Sequence, residues 1–129
     1  MDEPNPAHLE AYFAAELPSF GMPGTFGIVT AHNPGSAPAS AESNEAADAE
    51  LERALTAADL PHFRVTGRSR DGSHREPGYG IAAALDTIRA LSRDFRQEAF
   101  FWVEDGQVFV INTEGARRHP VGAWKDRLL

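Results

Sequence analysis

Two side chains in this chain combine acid–base chemistry with a setting in which a proton could be moved. His32 lies in the run Thr30-Ala-His-Asn-Pro-Gly-Ser36, and Glu76 lies in His74-Arg75-Glu76-Pro77. An imidazole changes charge near neutral pH, and a carboxylate beside bases can accept a proton or a hydroxyl. The residues around them suit an anion. Thr30, Asn33, Ser36 and Asn44 offer hydroxyl and amide groups, and Arg68 offers a guanidinium. The catalytic candidates are therefore His32 and Glu76. The ligand-binding candidates are Thr30, Asn33, Ser36, Asn44 and Arg68.

Plainer uses compete with each of these. Asn44 lies near the buried stripe of its helix, where its amide could tie down the preceding loop. Glu76 beside His74 and Arg75 reads equally as an ion pair, and Gln97 suits the backbone groups of a helix end. Several chemistries find no support. There is no Gly-Lys-Ser/Thr phosphate loop, no Gly-x-Gly-x-x-Gly and no Gly-x-Ser-x-Gly. His74-Arg75-Glu76 has the spacing of a deaminase His-x-Glu but lacks the cysteines that go with it. The five histidines form no i, i+4 pair. No metal and no cofactor is expected.

Those residues need elements to hold them. Thr25 to Thr30 reads as a strand, Asn33-Pro34-Gly35 as a turn, and Ser40 or Ser43 as the cap of a helix reaching about Ala58. A strand that feeds a helix start through such a loop gathers unpaired N–H groups at one spot. Ala47, Leu51, Ala54, Leu55 and Ala58 line one side of that helix. His62 to Gly67 and Glu76 to Ala82 read as strands around Asp71-Gly72, and residues 82–94 as a further helix. Ala99 to Val103 and Gln107 to Ile111 flank Glu104-Asp105-Gly106, a hairpin. Before all this, Asn5-Pro6 starts a helix carrying Leu9, Tyr12 and Phe13. Beyond Asn112 the chain reads as irregular, with Trp124 docking back.

This order predicts one domain: an N-terminal helix and connector (1–24), an α/β core (25–112) and a tail (113–129). The core is expected to be a ferredoxin-like α+β sandwich of β-α-β-β-α-β-β order. Phe100 and Trp102 point one way along their strand, Phe101 and Val103 the other. Burial on both faces follows, so something must cover the second face: the first helix, or a second copy in a homodimer.

Asn33-Pro34, Asn44, Glu76 and Phe95/Gln97/Ala99 together resemble the motifs of a family of small bacterial proteins, domain of unknown function 3293. The resemblance spans roughly residues 25–112. It differs at His32, where an aromatic is commoner, and at Pro77-Gly78-Tyr79-Gly80, where a bulkier apolar strand is commoner. It implies no established activity.

Composition narrows the partners. The formal net charge of -7 argues against nucleic acid. The charge is uneven: residues 41–59 hold six acids against Arg53, whereas residues 64–75 hold four arginines against Asp71. No apolar run is long enough for a membrane span, there is no cysteine, and the first residues are acidic, so a cytoplasmic protein is expected. Two functions fit. One is the binding of a small anionic or nucleotide-like molecule, with hydrolytic chemistry as its extension. The other is a non-catalytic protein-interaction module that uses a sheet face or edge.

Overall fold

A computed structural model describes residues 2–129. Seven strands form one sheet: β1 (Tyr12–Ala15), β2 (Thr25–Thr30), β3 (His62–Arg68), β4 (Arg75–Ile81), β5 (Ala99–Glu104), β6 (Gln107–Asn112) and β7 (His119–Ala123). Their spatial order is β1-β3-β4-β2-β5-β6-β7, and every neighbouring pair is antiparallel. The helices are α1 (Pro6–Leu9), α2 (Ala41–Ala57), α3 (Leu85–Asp94) and α4 (Trp124–Arg127).

The ferredoxin-like expectation is overturned. Instead of a small sheet with two helices on one face, the chain builds a seven-stranded sheet that curls into a half-barrel. Two strands account for the difference. Leu9, Tyr12 and Phe13 have helical spacing, yet α1 stops at Leu9 and Tyr12–Ala15 pairs with β3. Edge pairing there buries Phe13 completely, which outweighs the weak helical pattern of so short a segment. At the other edge, β7 pairs with β6 across a register shift at Val108/Phe109, where Pro120 and Gly122 hide the strand pattern. Leu128 then forms a bridge to Phe13, and the Leu129 N–H donates to the Phe13 carbonyl at 2.9 Å, so the last residues reach back to the first strand.

The two faces of the sheet carry separate cores. Val29, Tyr79, Ile81, Phe100, Trp102 and Ile111 meet Leu51 and Leu55 of α2 and Ile88 of α3. Gly27 lies under Ile88, in a space that a Cβ would fill. On the concave face, Phe13, Phe26, Phe63, Val65, Val103, Val108 and Val110 enclose Trp124. Phe26 meets the Phe63 and Trp124 rings edge-on at 5.2 and 5.3 Å. This second core has no long helix over it. It is covered by the curl of the sheet, by Trp124, and by Leu9 and Ala11 of the N-terminal segment. Arg127 ties these pieces together, donating to the carbonyls of Leu9, Ala11 and Val121.

Local details follow ordinary capping and turn chemistry. The Asn5 carboxamide accepts from the Ala7 N–H with Pro6 at the first helical position, and the Ser40 hydroxyl accepts from the Ser43 N–H. Asp105 and Gly106 both have positive φ, as a tight hairpin turn between β5 and β6 requires. No helix among the described residues is long and apolar enough to cross a membrane.

Candidate functional site

After β2 the backbone turns sharply. Asn33 and Ser36 take left-handed conformations (φ 49° and 61°) around Gly35, and the Ser36 N–H donates to the Asn33 carbonyl at 2.9 Å. A left-handed serine is costly unless its surroundings fix it. Asn44, from the first turn of α2, supplies part of that fixing. Its Oδ1 accepts from the Asn33 N–H at 2.8 Å, and its Nδ2 donates to Asn33 Oδ1 at 3.1 Å. Asn33 Oδ1 also accepts from the Ala39 N–H at 3.0 Å. The remaining group of Asn33, Nδ2, reaches toward Glu76 Oε1 at 3.4 Å. The loop side chain is thereby aimed at the carboxylate of β4.

Glu76 lies at the mouth of the concave face, in a cleft of about 750 Å³. Thr30, His32, Asn33, Ser36 and Arg68 line the same cleft. Of the residues singled out from the sequence, only Asn44 stands outside it, behind Asn33. The floor is apolar, with Ile28, Ala99 and Phe101, and one wall is the N-terminal segment from Asn5 to Tyr12. Thr30 donates its hydroxyl proton to Gln97 Oε1 at 3.0 Å, while Gln97 Nε2 donates to the carbonyls of His32 and Phe95. Gln97 is thus the fastener between the end of β2 and the end of α3.

Two features of the expected anion site are not brought together. The start of α2 opens beside a second depression, lined by Asn44, Asp48, Arg64 and also His32, away from Arg68. The arginines of the 64–75 segment also divide. Arg64 forms a two-pronged pair with Asp48 of the acidic helix, both contacts at 2.9 Å, and donates to the Tyr79 hydroxyl. Burial pushes that phenol up to about 12, partly offset by the Arg64 charge. Arg68 has no carboxylate partner among the described residues, and its guanidinium donates only to the carbonyls of Ser69 and Arg70.

The sequence reading missed His8 and Glu98, which line the cleft and meet each other at 3.6 Å. Glu98 Oε1 accepts from Asn5 Nδ2 at 3.0 Å, and the His8 ring meets Phe101 edge-on. Burial holds the His8 imidazole below its usual value, against the opposing pull of the Glu98 and Glu76 carboxylates. Ninety residues separate this pair, and no local pattern marks either one. A signal was present only for His8, in the Asn5-Pro6 cap that fixes the direction of the segment. No group of three His, Asp or Glu side chains among the described residues is arranged to hold a metal ion.

Residues 29–100 match the model of the family described as Protein of unknown function (DUF3293), and the chain belongs to that family. The matched stretch contains Asn33, Asn44, Glu76 and Gln97 and leaves out β1, β6, β7 and α4. No curated protein and no solved structure matches the chain.

Proposed function

We propose that this protein binds a small anionic ligand in the cleft at the open end of the half-barrel. Arg68 supplies the counter-charge, and Thr30, Asn33 and Ser36 supply polar contacts. Glu76 and His32 are the groups that would exchange a proton with the ligand, Glu76 taking one from an attacking water if the chemistry is hydrolytic. The observation that supports this reading is convergence: residues spread from Thr30 to Glu76 along the chain line one cleft. Arg68 in particular has free N–H groups and no internal carboxylate among the described residues.

The test is a melting experiment on the full chain with millimolar inorganic phosphate and a set of nucleotides and phosphate esters. Occupancy at a hundred times Kd stabilises the folded state by about 2.7 kcal/mol, a rise of several degrees. Arg68→Ala is expected to remove the shift, whereas Arg117→Ala in the tail is expected to keep it. Glu76→Gln is expected to stop any turnover. An unchanged melting point across the whole set, with no carboxylate binding either, would sink the reading.

A second reading has its own observation. Leu17 and Phe20, between β1 and β2, are 79% and 53% exposed, and Met22 beside them is exposed too. Such a stretch suits contact with another protein. In that case Leu17→Ser with Phe20→Ser would abolish partner capture and leave the ligand-induced shift unchanged.

A further inference from the structure

Elsewhere on this molecule, some arginines close onto carboxylates. Arg64 meets Asp48 at 2.9 Å, and Arg93 meets Glu114 at 2.9 Å. In the cleft they do not. Its cations gather over β1 and the end of β3. Arg68 ends β3, Arg70 lies 5.8 Å from the Tyr12 ring of β1, and Arg127 lies 5.0 Å from the same ring. Arg127 commits three of its five N–H groups to carbonyls, whereas among the described residues Arg68 commits two and Arg70 none. The anions of the cleft gather further along the sheet. Glu76 stands on β4 and Glu98 directly precedes β5. Glu76 has only an amide at 3.4 Å and the His74 ring at 3.9 Å, and Glu98 only the Asn5 amide and the His8 ring. Glu10, exposed on the rim, is the one further carboxylate lining the cleft.

Ile28 on β2 stands between the β3 cations and Glu98, whereas Glu76 on β4 stands next to β3, before that apolar floor. From the order β3-β4-β2-β5, Glu76 stands one strand spacing from Arg68, and Glu98 stands three spacings away, about 15 Å. Side chains at the larger separations cannot pair directly. A molecule bearing one charge at each end and carbon between them could satisfy both sides at once.

We propose that the ligand of this cleft is zwitterionic, of the amino-acid or short-peptide type. Its carboxylate lies toward Arg68 and Arg70, its apolar middle over Ile28, and its ammonium toward Glu98. This rests on the reading of the cleft as an anion-binding site and adds the second, positive end. A plain anion would leave Glu98 without an ammonium and would carry a repulsive cost from the cleft's carboxylates. A plain amine would leave Arg68 unanswered.

Calorimetric titration of the full chain at low salt with 6-aminohexanoate, hexanoate and hexylamine separates these cases, since the three share one hydrocarbon body. We expect 6-aminohexanoate to bind at least about tenfold tighter than either analogue, the scale of one charge-assisted hydrogen bond. Glu98→Gln, which keeps the size of the side chain, should erase the advantage over hexanoate, and Arg68→Ala should weaken 6-aminohexanoate and hexanoate alike. Hexanoate binding as tightly as 6-aminohexanoate would overturn the zwitterion proposal and leave the anion site standing. The zwitterion proposal fails in the same way if phosphate raises the melting point while 6-aminohexanoate does not bind. If neither phosphate nor any of the three probes binds, the anion site falls as well.

Discussion

The helix-covered face and the concave face of this sheet bury similar kinds of residue and end up with different capacities. Under α2 and α3 the packing is continuous, and its buried hydroxyls are paired, Ser92 with Thr113 at 2.8 Å. On the concave face the aromatic core is as tightly buried at its centre, with Phe13 and Phe26 at 0% and 1% exposure. Its cover, however, is made of short segments from the two ends of the described chain, and these leave one end of the half-barrel open. Polar side chains from β2, β4 and the segment before β5 meet there. A face closed by short segments can keep a cleft.

That contrast can be broken most forcefully at the concave core. Phe26→Ala is expected to cost about 3–5 kcal/mol in urea unfolding, comparable with Leu51→Ala under α2 at about 2–5 kcal/mol. A loss below about 1 kcal/mol for Phe26→Ala would mean that the concave side is not a true core. The next effect belongs to the boundary between core and cleft. Asn44→Ala leaves the Asn33 N–H without its 2.8 Å acceptor and should cost about 1–3 kcal/mol. It should also remove any ligand-induced shift, because Asn33 then loses its fixed aim at Glu76. Retention of full ligand response in a destabilised Asn44→Ala protein would separate the loop from the site.

Cleft residues should contrast with both. Arg68→Ala is expected to change stability by no more than about 0.5 kcal/mol, since only backbone carbonyls at the surface lose a donor. A large loss would make Arg68 a structural fastener and remove the main support for the anion site. The smallest effect is confined to the loop between β3 and β4. The Ser73 N–H, with the hydroxyls of Ser73 and Ser69, holds the Asp71 carboxyl down to about 2. A carboxyl depressed by folding favours the ordered loop above about pH 4, and that contribution fades as pH falls through about 2. A carboxyl NMR titration should find the Asp71 midpoint at about 2, and Ser73→Ala should move it upward. A midpoint at about 4, the ordinary carboxylate value, would show that the loop is not closed as described.

Much of the local structure could be read from residue types. The Asn5-Pro6 and Ser40 caps, the Asp105-Gly106 turn and the two-sided strand at Ala99–Val103 all rest on short-range chemistry that tertiary contacts here reinforce. The assembly could not be read in the same way. Tyr12–Ala15 became a strand because β3 offered an edge, and His119–Ala123 became one despite Pro120 because β6 did. Those pairings turned a small sheet into a curled one. The site divides along the same line. Thr30, Asn33 and Ser36 are neighbours in sequence, and Asn44 ties their loop as its place near the buried stripe of α2 suggests. His8 and Glu98 meet only because the N-terminal segment crosses the sheet.

The Arg127 fastening has a consequence for how the molecule comes into being. Its bonds to the Leu9 and Ala11 carbonyls join residues 118 and 116 positions apart, and Asp2 accepts from the Ala116 and Arg117 N–H groups over a similar distance. Contacts so far apart along a chain carry the full entropic cost of loop closure and form late. β2 through β6 can therefore fold against α2 and α3 before Arg127 docks. The wall of the cleft is not pinned until that residue has docked. A folding chain would thus own its helix-covered core before it owned a binding site.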